Sequence, residues 1–457
     1  MKKLTILLLV AAFAAVVPAN AQQSDVVIQL MQGDRASIAV PDLRGAGPAG
    51  SFMNTVNGAL FSELQESGLF RMAPKSMYPV EVPQRPQDFV LPGPPAQRGG
   101  QPVRRGPWLT DWSGPPVNAN YLTIGYGAEQ GGRLVLFGWL YNVNQPNLEN
   151  AQVFGKLYFG DMDEDGARKV AREFAADILG QFGHESLLGS KLYFVSDRTG
   201  AKEIWSMEYD GSNQQQITRY GSTSTFPSVS PDGTRVIFTT YAETYPMLYV
   251  HSLGTGRRLP FYNQQASMNA TAEYTPDGQK VYFSSTAAGN YAQIFSCNPD
   301  GSGLQRITYS RAIDVEPTVN PKNESELVLV SGRSGLPQIY KMSTAGTNVV
   351  RLSSGEGEAV NPSWHPDGQH IAFAWTKGYD PGNYNIFIMD VATREYVQLT
   401  HGAGRNENPT WAPDGRHLVF SSNRGGSNQI WTMLGDGTQL RQLTTQGNNE
   451  KPVWSRQ

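Results

Sequence analysis

A second cysteine, a second long apolar run, a nucleophile elbow and a surplus of positive charge are all missing from these 457 residues. Cys297 stands alone, so no internal disulfide can form, and a lone thiol on a strand-like run is expected to pack as a small buried side chain. Beyond residue 21 no stretch is long and apolar enough to span a bilayer, so a soluble mature chain is expected. Lys and Arg number 37 against 40 Asp and Glu, which leaves no basic excess for nucleic acid or an anionic membrane. No G-x-S-x-G occurs; the nearest approach, Gly332-Arg333-Ser334-Gly335, has Leu336 where the elbow needs glycine.

The one long apolar run is at the start. Lys2 and Lys3 precede it and Ala19-Asn20-Ala21 ends it, the pattern of a secretory signal peptide cut after Ala21. Losing those two lysines takes the formal charge from -3 to about -5. The residue directly after the cut is Gln22 and not cysteine, which argues against a lipid anchor.

Repetition dominates the second half. Prolines recur at Pro231, Pro276, Pro321, Pro366 and Pro413, at intervals of 45, 45, 45 and 47 residues, mostly within Pro-Asp-Gly turns. Each unit carries short alternating apolar runs bounded by turn signals, which read as four antiparallel strands, a to d, of a propeller blade. The b-c-d pattern occurs six times, from Leu192, Val236, Val281, Leu327, Ile371 and Leu418. Strand a also occurs six times, but one place out of step. The first b-c-d run has no strand a before it, and the last strand a, Lys451 to Ser455, has nothing after it. The final strand should therefore complete the first blade and close a six-bladed ring without open edges.

Residues 22–183 should form a small α/β domain ahead of a propeller at 184–457. A strand in RASIAVPDL is followed by a helix N-capped by Ser51, with Val56, Leu60 and Leu64 on one side and Gly68 as its stop. Residues 121–125, 133–143 and 153–159 are strand-like, with Gly131-Gly132 as a hairpin turn. A second helix over 166–182 turns Val170, Phe174, Ile178 and Leu179 towards that sheet. Residues 22–33 alternate Val26, Ile28 and Leu30, as an edge strand or as an arm that joins a partner's sheet. Residues 79–107 are so rich in Pro and Gly that they predict a flexible excursion without a core, locally basic at Arg98, Arg104 and Arg105.

Several patterns resemble chemistry without completing it. Asp161, Asp163, Asp165 and Gly166 match an EF-hand loop, but Arg172 stands where the bidentate glutamate belongs; capping of the following helix explains the carboxylates better. The six histidines do not gather as ligands or bases, and His370 and His417 share one repeat position, as packing residues do. Trp364, Trp411 and Trp454 share a site in strand a, and Trp205 and Trp431 one in strand c, which implies packing between blades. Arg198, Arg333 and Arg424 recur as S-x-R-x-G in the b-c loops, either bracing neighbouring loops or presenting cations to a partner. The d-a loops vary most, and Glu273, Asp314, Glu316, Glu358, Glu407 and Glu450 make their face polar and partly acidic, which suits a protein ligand.

In order, the pieces DVVIQL, IAVPDL, FSELQESGLF, ARKVAREFAADILGQFG running into SKLYFVSDR, and the Pro-Asp-Gly repeats resemble the TolB family, the periplasmic component of the Tol-Pal system. The resemblance implies a non-enzymatic, monomeric periplasmic adaptor without cofactor or metal. It would support outer-membrane integrity, constriction at division and protein import. It implies that the lipoprotein Pal sits over the channel on the d-a face, at Thr225, Met268, Asn269, Thr271, Asp314, Val315, Glu316, Asn361, Asn408 and Lys451. Residues 22–33 become an arm offered to TolA through Asp25, Val26, Val27, Ile28, Gln29 and Leu30. The Pro-rich insert departs from the family pattern. A rival reading is an exported propeller hydrolase or lyase with its site in the channel.

Overall fold

The computed structural model describes residues 35–455, apart from 92, 96–101, 104, 146, 378–381 and 403. The stretches read from sequence as a signal peptide, residues 1–21, and as a partner arm, residues 22–33 with 25–30, lie outside the described residues.

A twisted sheet comes first. Its strands β1 (Ala36–Ala39), β2 (Phe70–Met72), β3 (Tyr121–Gln130), β4 (Arg133–Asn142) and β5 (Gln152–Asp161) lie in the order β2-β1-β3-β4-β5. The long hairpin β3–β4 turns at Gly131 and Gly132, whose φ of 59° and 76° give the left-handed pair that a two-residue turn requires. Helices α1 (Met53–Glu66) and α2 (Glu164–Gln181) cover one face. Val56, Leu60, Leu64, Val170, Phe174 and Ile178 are completely buried there with Leu134, Leu136 and Leu140 of the sheet. Ser51 does not cap α1: its hydroxyl donates to Pro48 O at 2.8 Å inside a preceding 3-10 turn, Gly47–Phe52. Asp163 caps α2, accepting from Gly166 N at 2.7 Å, and Asp165 pairs with Arg168 at 2.9 Å. Two of the EF-hand-like carboxylates are thus used by the helix itself.

The other face of the sheet corrects the reading of the Pro-rich insert. Tyr78, Val82 and Phe89 pack with Trp112, Leu122, Ile124 and Tyr141, and the rings of Phe89 and Tyr141 lie 5.3 Å apart. Gln84 Oε1 accepts from Arg44 N at 2.8 Å, Val90 N donates to Pro107 O at 3.0 Å, and Gly93–Pro95 pairs with Pro102–Val103. With both helices on one face, the opposite apolar face needs a cover. Proline-rich chain supplies one at low entropic cost because it is already extended.

Six four-stranded sheets follow in a ring. In the last, strands a to d are Asn406–Trp411, His417–Gly425, Ser427–Leu434 and Arg441–Gln442. The first combines Lys191–Thr199, Ala201–Glu208 and Gln215–Gln216 with the C-terminal strand Asn449–Trp454. Val453 pairs with Tyr193 and Trp454 with Leu192, so the chain's last strand closes the wheel as its repeat offset predicts. Leu192, Phe194 and Trp454 of this blade pack with Val419 and Ile430 of the one before it. Cys297 is buried in strand c of its blade, and burial pushes its thiol up to about 12, which leaves it an inert packing residue.

The α/β domain sits on the face made by the a-b and c-d turns. His417 Nε2 lies 2.9 Å from Glu66 O, Arg416 Nε donates to Ser67 O at 2.8 Å, and Gln439 Nε2 donates to Gln65 O at 2.9 Å. Cations and donors thus meet the carbonyl end of α1, where the helix dipole is negative. Arg35 pairs with Asp436 at 3.1 Å, and Arg172 of α2 bridges Glu63, at 3.3 Å, and Asp210 of the first blade. Docking through these turns leaves the b-c and d-a loops on the opposite face.

Candidate docking face and channel mouth

Strand a of every blade departs from regular pairing at one place. Phe226, Thr271, Glu316, Asn361, Asn408 and Lys451 have φ of 51°, 50°, 53°, 54°, 53° and 52°, and the ladder register shifts beside each. Five of the six precede a proline; Thr271 precedes Ala272. Proline has no N–H for the ladder, and the bulge accommodates that loss. A left-handed, non-glycine residue costs about 1–2 kcal/mol. All six carry that strain at the third residue of strand a, near its loop-face end, and all six line one channel of about 650 Å³.

Around the ring these residues bond from blade to blade. Asn408 donates to Asn361 Oδ1 through its side chain at 2.9 Å and its backbone N at 3.3 Å. Asn361 donates to Glu316 through its backbone N at 2.8 Å and its side chain at 3.1 Å. Glu316 N in turn donates to Thr271 Oγ1 at 3.4 Å. On the far side of the ring Lys451 lies 4.1 Å from the centre of the Phe226 ring. Burial pushes the Glu316 carboxyl above its ordinary range, against the opposing pull of Lys451 and the Asn361 donors.

The positions expected to face a partner divide in two. Thr271, Glu316, Asn361, Asn408 and Lys451 belong to the ring. Thr225 misses it by one residue: it is buried and paired with Thr239, and its place in the ring is taken by Phe226. Aligning the strands on Pro227 would have found that residue. Asn269 is buried and donates to Gln264 O at 2.9 Å, Met268 N is tied to Thr286 Oγ1 at 3.0 Å, and Val315 is half-buried beside the ring. Asp314 is fully buried, held by Ser331 at 2.5 Å, Ser310 at 2.7 Å and Arg333 at 3.1 Å, so it braces the loop from within.

That brace recurs and settles the role of the S-x-R-x-G arginines. Arg198 reaches Asn449 Oδ1 at 2.9 Å and Arg424 reaches Asn406 Oδ1 at 2.7 Å, each tying its b-c loop to the start of strand a in its own blade. Their guanidinium groups cover Trp205 and Trp431 at 4.6 and 4.9 Å. The acidic character expected of the face is also partly neutralised, since Glu407 pairs with Arg405 at 2.8 Å and Glu450 with Lys202 at 2.7 Å.

What sequence reading missed is the aromatic content of this face. Tyr241 and Tyr245 in one b-c loop, Tyr291 in the next, and Tyr309 with Ile313 in the following d-a loop are all exposed, Tyr309 by 74%. Leu336 extends the arc to the fourth blade. Tyr241, Tyr245 and Tyr291 stand in b-c loops, which a reading of the variable d-a loops as the binding surface leaves out, and Tyr309 precedes the SRAIDVE loop by one residue.

The histidines, expected not to gather, do so once. His365, Asp367 and His370 bring a ligand atom each within 4.8 Å of one another. Existing bonds account for this: His365 Nε2 is 2.7 Å from Gly415 O, and Asp367 lies 3.0 Å from His365 Nδ1 and 2.7 Å from His370 Nδ1. The next blade repeats the Asp–His half, with Asp414 2.6 Å from His417 Nδ1 and Ala412 in place of the first histidine. The a-b turn uses this contact with or without a third group.

Comparison with known proteins places the chain. The family described as TolB beta propeller domain matches residues 183–380 and 352–457. A Protein TolB homolog of Chlorobium luteolum is 35% identical over 305 residues, 66% of this chain and 68% of that one. The Tol-Pal system protein TolB of Bordetella pertussis is 29% identical over 201 residues, 44% of this chain and 45% of its own length. The crystal structure of TolB from Acinetobacter baumannii superposes with a TM-score of 0.70 at 19% identity, covering 93% of this chain and 97% of that one, so the two share a fold.

Proposed function

The chain belongs to the TolB family, and from that premise we propose that it works as a non-enzymatic component of the Tol-Pal system in the periplasm. It binds the lipoprotein Pal on the loop face of the propeller and offers residues 22–33 to TolA. One observation carries this reading: the α/β domain occupies the turn face, while the opposite face presents exposed tyrosines beside a strained, hydrogen-bonded channel mouth. Tyrosine is a favoured anchor of protein interfaces because it buries much area at small entropic loss and keeps a polar tip. In that adaptor role the protein would support outer-membrane integrity, constriction at division and protein import.

The test is calorimetric titration with the soluble domain of Pal and with TolA. Tyr309→Ala combined with Tyr241→Ala should weaken Pal binding by about tenfold or more without changing the melting temperature. Removing residues 22–33 should abolish TolA binding and spare Pal. Loss of Pal binding with TolA intact would overturn the assignment of surfaces.

A further inference from the structure

We propose that the channel mouth is a receptor for one organic cation, the ammonium or guanidinium of a lysine or arginine side chain presented by the protein docked on the loop face, with Glu316 as its counter-charge. The proposal rests on the reading of that face as the Pal-binding surface and adds what the partner must insert.

Charge selects the sign of the guest. Glu185 and Lys322 stand at the turn-face end of the channel, which leaves the carboxylates of Glu273 and Glu316 against the ammonium of Lys451 towards the mouth, an excess of one negative charge with Glu316 ionised. Lys451 rests on the face of Phe226 and, among the described residues, takes part in no ion pair. Each Glu316 oxygen accepts one bond from Asn361, at 2.8 and 3.1 Å, which fixes the carboxylate and leaves lone pairs on both oxygens for a further donor. Asn361 is itself fixed by Asn408 at 2.9 Å. The anion is therefore positioned before any ligand arrives, by residues held in strained backbone, and strain of this kind marks functional sites. A cation beside it would offset the burial that now opposes its charge.

Shape selects a long side chain. Glu316 is the third residue of its strand a and lies inside the channel, so a charged group that reaches it from a protein docked on the loop face needs a stem of several methylene groups behind it. Lysine and arginine have that form, and an aspartate or glutamate from the partner would bring like charge to a lining that is already negative.

The experiment is titration of the full chain with the soluble domain of Pal, in buffers containing a chelator, with n-butylammonium as competitor. The expected result is that butylammonium displaces Pal from the wild-type chain and that Glu316→Gln weakens Pal binding by about tenfold or more. Glu316→Gln binding within about twofold of wild type, or no competition by butylammonium, would overturn the proposal. The competition arm uses the unmodified chain, so it stands even where a variant fails to fold. If the wild-type chain does not bind Pal at all, the partner assignment falls by itself. The receptor is then judged by butylammonium alone, followed by NMR: a saturable response that Glu316→Gln removes upholds it, and no saturable response overturns it.

Discussion

Arg424 shows what a repeated residue is for. Its Nε donates to Ser422 Oγ at 2.9 Å, its Nη2 to the fully buried Asn406 at 2.7 Å, and its plane covers Trp431. Arg424→Ala leaves the Asn406 acceptor without its donor, so it should cost about 1–3 kcal/mol in urea unfolding, and Arg424→Lys should recover only part because an ammonium lacks the planar fork. An unchanged midpoint would mean that the brace is ornamental. His417 gives a pH-dependent counterpart. Burial opposes its charge, yet the Asp414 carboxylate and the Glu66 carbonyl prevail and hold its pKa above the ordinary value. A group raised in the folded chain lends stability that is whole below its unfolded pKa, about 6.5, and is lost as pH climbs through the folded value. Stability measured from about pH 6 upward should therefore fall with a slope that His417→Gln flattens; parallel curves would refute the contribution. At this scale the sequence displayed the shared positions of these arginines and histidines but not their partners. The partners lie on loops and on another domain, and spacing along the chain carries no record of them.

Among elements, the closing strand was the most legible, because a repeat that starts with b and ends with a has only one way to seal itself. Its contribution can be measured. Asn449–Trp454 supplies a whole strand of the first blade, with Trp454 buried between the first and last blades. Trp454→Ala should cost about 3–5 kcal/mol, and removal of residues 449–457 should lower the melting temperature far more, since it also exposes the edge of Lys191–Thr199. A truncated chain that melts with the full one, followed by circular dichroism, would contradict closure. Other elements were hidden for identifiable reasons. The residue before a proline normally stays extended, so nothing in Asn361-Pro362 or Asn408-Pro409 announces a left-handed bulge; the ladder imposes it. The insert looked coreless because Pro and Gly density says how a chain bends, not whether an uncovered sheet face lies beside it. Phe89 and Val82 were its apolar clues. The start of α1 was misplaced because a serine can donate to a nearby carbonyl as readily as cap a helix.

For the whole molecule, the question is what holds the two domains in the arrangement that leaves the loop face open. Arg172 is the point most open to test. Its guanidinium lies between Glu63 of α1 and Asp210 of the first blade, over the ring of Tyr209 at 5.2 Å, and its side chain is only 17% exposed. The Tyr209 hydroxyl also donates to Glu63, so one cation secures two carboxylates and a phenol across the joint. Burial pushes the Glu63 carboxyl up, with the Tyr209 hydrogen bond and Arg172 opposing, so the removal of Arg172 deletes one of the forces that keep it charged. Arg172→Ala would leave two half-buried carboxylates facing each other, and breaking such a group costs about 3–5 kcal/mol. That loss falls on the joint and not on either core, because Val56, Phe174 and the blade interiors keep their neighbours. The expected result is that calorimetry resolves two unfolding transitions in Arg172→Ala where the parent chain shows one, the lower belonging to the α/β domain. Pal binding at the loop face should survive the change, since none of the ring residues touches the joint. One transition at the parent temperature would mean that the contacts at Arg416, His417 and Gln439 suffice to hold the domains together without the charged bridge.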